Sequence, residues 1–362
     1  MSIWRWADWI EPVPAAARVT LGEGNTPVVR SRRIGPALGM NHLYFKLESC
    51  NPTGSYKDRF AAAAVGDMVA HGKRYCLATT SGNTGSALAA YCAAVGVSCK
   101  IATIETAPAG KLKQMMAYGA DIFRIRGSAS DPRVMRRTVE ILKELSQRDD
   151  VGMQVSAYTY SPVGMSGVQS ISYELCEQID RPIDHVFVPA GGGGLTLAVA
   201  RGFKILVEHK RTAASPAVHC VQPEGNDTMA GPLRDGLNEA HAVQGTSKIS
   251  GLQVPSVIDG NMVIPSCRSV GGTGHVVSDE QVWALQERMV REEGVFCEPA
   301  GAVALVGAIE AMKAKRIAPD STIVCLVTGS GFKDEASVDR MLHGAECPTI
   351  DSSDIPSRLR EA

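Results

Sequence analysis

Short β-prone runs alternate with longer helical ones along most of the chain, and that rhythm constrains the fold more than any other feature. Strands are predicted at Leu43–Leu47, Arg74–Ala78, Cys99–Ile104, Asp121–Ile125, His185–Val188, Ala217–Val221 and Thr322–Val327. Helices are predicted at Phe60–His71, Thr84–Val95, Lys111–Tyr118, Val134–Ser146, Leu195–Val207, Asp279–Glu293 and Ala300–Met312. Repeated β–α units of this size imply an α/β fold, with parallel sheets between helices in three α/β/α layers. Ligands of such folds bind beyond the carboxyl ends of the strands, where loops meet helix starts. Gly72, Gly96 and Gly119 each follow a helical run, as helix-ending glycines do. The stretch Gly225–Gly274 is less regular and reads as a lid, an oligomer contact or a long connection.

At 362 residues the chain is long enough for two domains. A net charge of −1 gives no electrostatic footprint for nucleic acid or an anionic membrane. No apolar run is long enough to span a bilayer, and the charged, tryptophan-rich start is no signal peptide. Ten cysteines occur without a CxxC pair, mostly inside apolar runs, so they read as small buried hydrophobes. Neither disulfides nor a metal site is expected, and the chain reads as a soluble cytoplasmic protein.

Lys57 stands apart from the other lysines. In Asn51-Pro-Thr-Gly-Ser-Tyr-Lys-Asp-Arg59 it follows a Pro/Gly turn and precedes an alanine-rich helix, a place that points into the protein. A buried amine loses hydration, its pKa falls, and it becomes a nucleophile toward an aldehyde, most often that of pyridoxal phosphate. The same placement also suits a lysine that caps the helix or pairs with Asp58.

Four further segments fall at turns into helices or at strand ends. Thr79-Thr80-Ser81-Gly82-Asn83-Thr84-Gly85 offers hydroxyls and free amides at a helix start, an anion site suited to a carboxylate, or ordinary N-capping. Asn83 is placed to bond a phenolic oxygen beside a lysine-bound aldehyde. Gly191, Gly192, Gly193 and Gly194 run straight from a strand into a helix, so several amides can converge on a phosphate. Thr196 stands at the third glycine position of a dinucleotide fingerprint, which disfavours a nicotinamide-dependent dehydrogenase. Thr328, after the last strand, offers a neutral hydroxyl to a pyridine nitrogen. Cys297-Glu298-Pro299-Ala300-Gly301 reads as a helix entry with an acid near the dipole.

Leu21-Gly-Glu-Gly-Asn-Thr-Pro27, the Asn51–Arg59 stretch, Ser81-Gly-Asn-Thr-Gly85, Glu293-Gly-Val-Phe-Cys-Glu-Pro-Ala300 and Thr328-Gly-Ser-Gly-Phe-Lys-Asp334 occur in the order seen in fold-type II pyridoxal-phosphate enzymes. The chain resembles the tryptophan synthase β family, and threonine synthase most closely, from about its tryptophan-rich start to Asp334. The resemblance implies that Lys57 carries the cofactor as a Schiff base and that Tyr56 lies against its ring. It implies that Asn83 bonds the ring oxygen, that Gly191 to Gly194 with Leu195 cradle the phosphate, and that Thr328 faces the pyridine nitrogen. Thr80, Ser81 and Thr84 would hold the substrate carboxylate. A larger cofactor-binding domain would comprise residues 1–54 and 151–344, a smaller mobile domain residues 55–150, and a loose tail residues 345–362. The family also implies a homodimer acting on a small amino acid.

The chemistry implied is elimination or replacement at the β or γ carbon of an amino acid, with O-phosphohomoserine or a related activated amino acid as substrate. Lys111 matches one basic residue of the family's substrate-phosphate site. The arginine expected in a threonine synthase near Val163 is missing, and none lies between Arg148 and Arg181. The unbroken glycine run also has a dehydratase look. A serine/threonine dehydratase and a non-catalytic, cofactor-binding regulatory relative are therefore the alternatives.

Overall fold

The computed structural model describes residues 2–80, 82–107, 109–128 and 131–358, apart from the side chains of Ala109, Lys111 and Pro132. Its strands are β1 (Val28–Arg30), β2 (His42–Leu47), β3 (Tyr75–Thr79), β4 (Ser98–Ile104), β5 (Asp121–Ile125), β6 (Val151–Met153), β7 (His185–Pro189), β8 (Ala217–Pro223), β9 (Gly274–Val277) and β10 (Thr322–Val327). They form a six-stranded sheet in the order β1-β2-β10-β7-β8-β9 and a four-stranded sheet in the order β5-β4-β3-β6. Every pairing is parallel except β1 with β2, an antiparallel edge on an otherwise parallel sheet. The smaller sheet runs past the boundary expected at residue 150, because β6 completes it by pairing with β3.

Burial differs sharply between strands, and both a buried and an exposed one were foreseen with their observed bounds. Every residue of β10 is buried, as in a central strand covered on both faces, and its sequence is a continuous apolar run after Thr322. At the outer edge, β5 has no fully buried residue. The helix Asp279–Glu293 begins at a Ser278–Gln281 capping box and ends at Gly294 in the left-handed region. Gly72, Gly96 and Gly119 adopt positive φ after their helices, as expected.

The helix Lys57–Ala70 is the element that positions the site. Its run Ala61–Ala64 is buried, and so small a surface lets another helix, Pro162–Val168, approach closely. A Cβ at Gly164 would lie 2.6 Å from Phe60 Cε2, and one at Gly167 would lie 2.5 Å from the Arg59 carbonyl oxygen. Composition alone gave no sign of this partner helix, since two glycines and a proline lower its intrinsic propensity.

A buried charge cluster fixes the same helix from its other side. The Arg59 guanidinium, with no exposed surface, donates to both oxygens of Glu48 at 2.7 and 2.8 Å and both of Glu174 at 2.6 and 2.7 Å. Lys46 Nζ adds a 2.6 Å bond to Glu174, so two cations face two carboxylates. Glu174 also accepts from the Asn25 amide at 2.7 Å, and Asn51 Oδ1 accepts from the Gly24 amide at 2.9 Å. The Leu21–Pro27 motif is thereby tied to the turn that carries Lys57.

Candidate active site

The turn before Lys57 is bridged to the loop after β10. The Tyr56 amide donates to the Thr328 carbonyl at 3.1 Å, the Ser330 amide donates to the Gly54 carbonyl at 2.9 Å, and Ser55 pairs with Gly329. Lys57 therefore starts its helix at the carboxyl end of a central strand, where the β–α alternation places ligands. Its Nζ donates to Ser156 Oγ at 2.6 Å and lies 4.5 Å from the centre of the Tyr56 ring. Loss of hydration pulls the amine down to about 7, against the smaller opposing pull of the Glu298 and Asp259 carboxylates. A neutral amine near neutral pH is what a nucleophile or a general base requires.

Two clusters surround it. In the first, Ser156 Oγ lies 3.0 Å from Thr84 Oγ1, so Lys57, Ser156 and Thr84 form a chain of polar groups. In the second, Glu298 gathers two residues singled out from sequence: Asn83 Nδ2 donates to its two oxygens at 2.9 and 3.1 Å, and Thr328 Oγ1 donates to Oε1 at 3.2 Å. Glu298 is buried as the N-cap of the helix Pro299–Lys313, which was foreseen as a helix entry. Its role as the meeting point of Asn83 and Thr328 was not foreseen. Gly329 makes the approach possible, because a Cβ there would lie 2.4 Å from Glu298 Oε1. Burial and the same carboxylate push the Tyr56 hydroxyl above its ordinary range.

The glycine run lies alongside. Gly193 has φ +97°, and Gly194 opens the helix Gly194–Glu208, with Leu195 buried as its second residue. A Cβ at Gly193 would lie 2.8 Å from Val263 Cγ2, and one at Gly194 would lie 3.1 Å from the Ser156 carbonyl oxygen. The glycine run is thus adjacent to Ser156, which accepts from the Lys57 amine. The segment 225–274 wraps this loop. The Asp259 amide donates to the Gly192 carbonyl at 2.9 Å, and its side chain accepts from the amides of Tyr158 and Thr159 at 2.8 and 3.1 Å. Ser156 and Asp259 were missed at the sequence level; Ser156 lies within a segment flagged only for its missing arginine.

The other expected residues are placed as follows. Thr80 Oγ1 accepts from the Gly82 amide at 3.2 Å, a bond within the loop, and the helix that follows has no side-chain cap. Ser81 and the Lys111 side chain lie outside the described residues, although the Lys111 backbone belongs to the helix Ala109–Ala117. Val163, where an arginine was expected, is half-buried on the helix packed against the Lys57 helix.

A desolvated lysine at a strand end, a glycine-lined helix start beside it and a polar pair on a buried carboxylate define an enzyme that binds a phosphorylated aldehyde. The sequence pattern of the pyridoxal-phosphate dependent enzyme family matches residues 19–329, and the chain belongs to that family. It is 29% identical over 337 residues to a threonine synthase of Methanocaldococcus jannaschii, covering 92% of this chain and 81% of that one. It is 30% identical over 317 residues to a threonine synthase of Mycobacterium tuberculosis, covering 87% and 84%. Among solved structures, the processed form of threonine deaminase isoform 2 from Solanum lycopersicum aligns with a TM-score of 0.74 at 21% identity, covering 95% of this chain and 94% of that one. Maize serine racemase aligns with a TM-score of 0.73 at 23% identity, covering 99% and 96%. These likenesses show the fold. Among the described residues, no helix is long and apolar enough to cross a membrane.

Proposed function

We propose that this chain is a pyridoxal-phosphate-dependent lyase of the threonine synthase type, acting at the β or γ carbon of an activated amino acid. The observation that carries the reading is the Lys57 amine, lowered to about 7 and bonded to Ser156 beside the glycine cradle. Threonine synthases as relatives over most of the chain support the substrate class.

The residues present fit the cofactor. Lys57 would hold its aldehyde, and Gly191 to Gly194 with Leu195 would hold its phosphate on amides that a helix start leaves without intrahelical partners. Tyr56 would lie against its ring, with Asn83 and Thr328 at the ring's polar atoms. When bound, the group supplies an electron sink for the bond broken at the substrate's α carbon. Lys57 Nζ takes the α proton, and its lowered pKa leaves a useful neutral fraction at pH 7. Thr84, with Thr80 and Ser81, orients the substrate carboxylate, and Ser156 Oγ keeps the amine aimed toward the cradle. Lys111 would meet a phosphate-bearing leaving group.

A serine/threonine dehydratase is the second reading, favoured by the unbroken glycine run and by Val163 in place of an arginine. Without that arginine, a substrate phosphate loses a charge-assisted contact worth about 2–5 kcal/mol. We further propose a cytoplasmic homodimer with a small amino acid as its ligand and no nucleic-acid or membrane partner. Residues 1–54 and 151–344 would carry the cofactor, residues 55–150 would move as the smaller domain, and residues 345–362 would form a tail.

Incubation of purified protein with O-phosphohomoserine, serine, threonine and O-activated serines, reading phosphate, ammonia and 2-oxo acid, tests the reading. Phosphate release with threonine formation is the threonine synthase outcome, and ammonia with 2-oxo acid from serine or threonine is the dehydratase outcome. A yellow protein inert to all of them would be a non-catalytic binder. A colourless protein that takes up no pyridoxal phosphate would overturn the proposal.

A further inference from the structure

Cys76, Cys92 and Cys99 are far apart in sequence, and the fold brings them to one point. Cys76 on β3 and Cys99 on β4 are direct register partners in the smaller sheet. Cys92 belongs to the helix Asn83–Val95, which packs against β4 and β3. The three sulfurs lie within 4.8 Å of one another, and all three residues are buried in an apolar core. Among the described residues, no histidine or carboxylate joins the group.

We propose that Cys76, Cys92 and Cys99 form a buried three-sulfur site for a soft, thiophilic metal ion of low coordination number. Sulfurs about 2.3 Å from a metal at the centre of their triangle are about 4 Å apart, within the observed spacing. Zinc in structural sites takes four ligands, whereas three thiolates alone suit softer ions of lower coordination number such as Cu(I). Binding releases the thiol protons to solvent. A bound ion ties β3 to the helix Asn83–Val95. These are the elements on either side of the loop that leads to Asn83 and Thr84, so occupancy stiffens one wall of the proposed active site.

The test uses the full chain with Cys50→Ser, Cys176→Ser and Cys347→Ser, which removes the thiols that are not buried. The protein, reduced and free of oxygen, is brought to equilibrium with Cd(II) in one arm and with Cu(I), buffered by a chromogenic chelator, in the other. The expected result is one equivalent bound in at least one arm, surviving gel filtration and raising the melting temperature. With Cd(II), thiolate-to-metal charge-transfer absorption appears as well. Tighter Cd(II) binding marks a site for a divalent ion, and tighter Cu(I) binding a site for a monovalent one. Adding Cys76→Ala, Cys92→Ala or Cys99→Ala weakens binding at least tenfold, while circular dichroism and the cofactor's visible band report that each variant is folded. Three alanine variants keep the comparison available if one fails to fold. No stoichiometric binding of either ion, or binding unchanged in the folded alanine variants, overturns the proposal.

Discussion

Asn83 donates from its carboxamide to both oxygens of Glu298, at 2.9 and 3.1 Å, across 215 residues of sequence. The first residue opens a helix of the smaller sheet and the second caps a helix of the larger one. The pair therefore couples the two sheets at the site. Replacing Glu298 with Ala leaves Asn83 Nδ2 and Thr328 Oγ1 without this acceptor, at a cost of about 1–3 kcal/mol. The expected outcome is a folded, cofactor-binding protein whose kcat falls about tenfold to a hundredfold. Steady-state kinetics alongside the visible spectrum check it; unchanged kcat would deny the pair a part in turnover.

Lys57→Ala should lose the covalent cofactor band and nearly all turnover, by a factor of about 10²–10⁴ for loss of the proton-transferring amine alone. Absorbance after gel filtration and single-turnover assays with each candidate substrate report the two losses separately.

The same lysine predicts a pH dependence in the protein freed of cofactor. Its folded pKa of about 7 lies below the ordinary lysine value of 10.5, so between these values the unfolded chain binds more protons. Stability must therefore rise with pH from about 7 to about 10 and be lowest below pH 7, where the amine is charged in both states. Lys57→Met removes this contribution. Urea midpoints measured at pH 6.5 and 9.5 should differ less in the variant than in the parent protein.

Gly193 combines φ +97° with a would-be Cβ 2.8 Å from Val263 Cγ2. Gly193→Ala thus meets both backbone strain and a packing clash, each worth about 1–3 kcal/mol. The expected result is a weaker grip on pyridoxal phosphate, about tenfold or more, read by equilibrium dialysis against the free cofactor.

Arg59→Met leaves Glu48 and Glu174 buried with one cation fewer. Breaking a buried pair by removing one partner costs about 3–5 kcal/mol. Denaturant unfolding should show that loss, and Arg59→Lys, which keeps the charge but not the planar fork, should recover only part of it.

Much of this was legible in the sequence because local chemistry and tertiary role agreed. Helix Asp279–Glu293 carries its own caps, and strand Thr322–Val327 is apolar enough to be central, so both were predicted with their observed bounds. The burial of Lys57 was legible from its place between a Pro/Gly turn and an alanine run, although that place suited a helix cap as well. The short strands β6 and β9 and the helix Pro162–Val168 were not, because close packing overrides weak local preference there. Glu298 was visible as a residue but not as an acceptor, since its side-chain direction depends on a glycine 31 positions later whose missing Cβ admits it. The cysteine cluster was hidden for the same kind of reason: its spacing means nothing until β3, β4 and a helix are stacked.

The bridge between Gly54–Tyr56 and Thr328–Ser330 also has a consequence for biosynthesis. The wall that faces Lys57 is made by residues that leave the ribosome long after the lysine itself. A nascent chain that already displays its lysine has no closed site around it. Closure of the site around Lys57 thus waits until β10 has slotted between β2 and β7, and a chain terminated before β10 would leave that wall unbuilt.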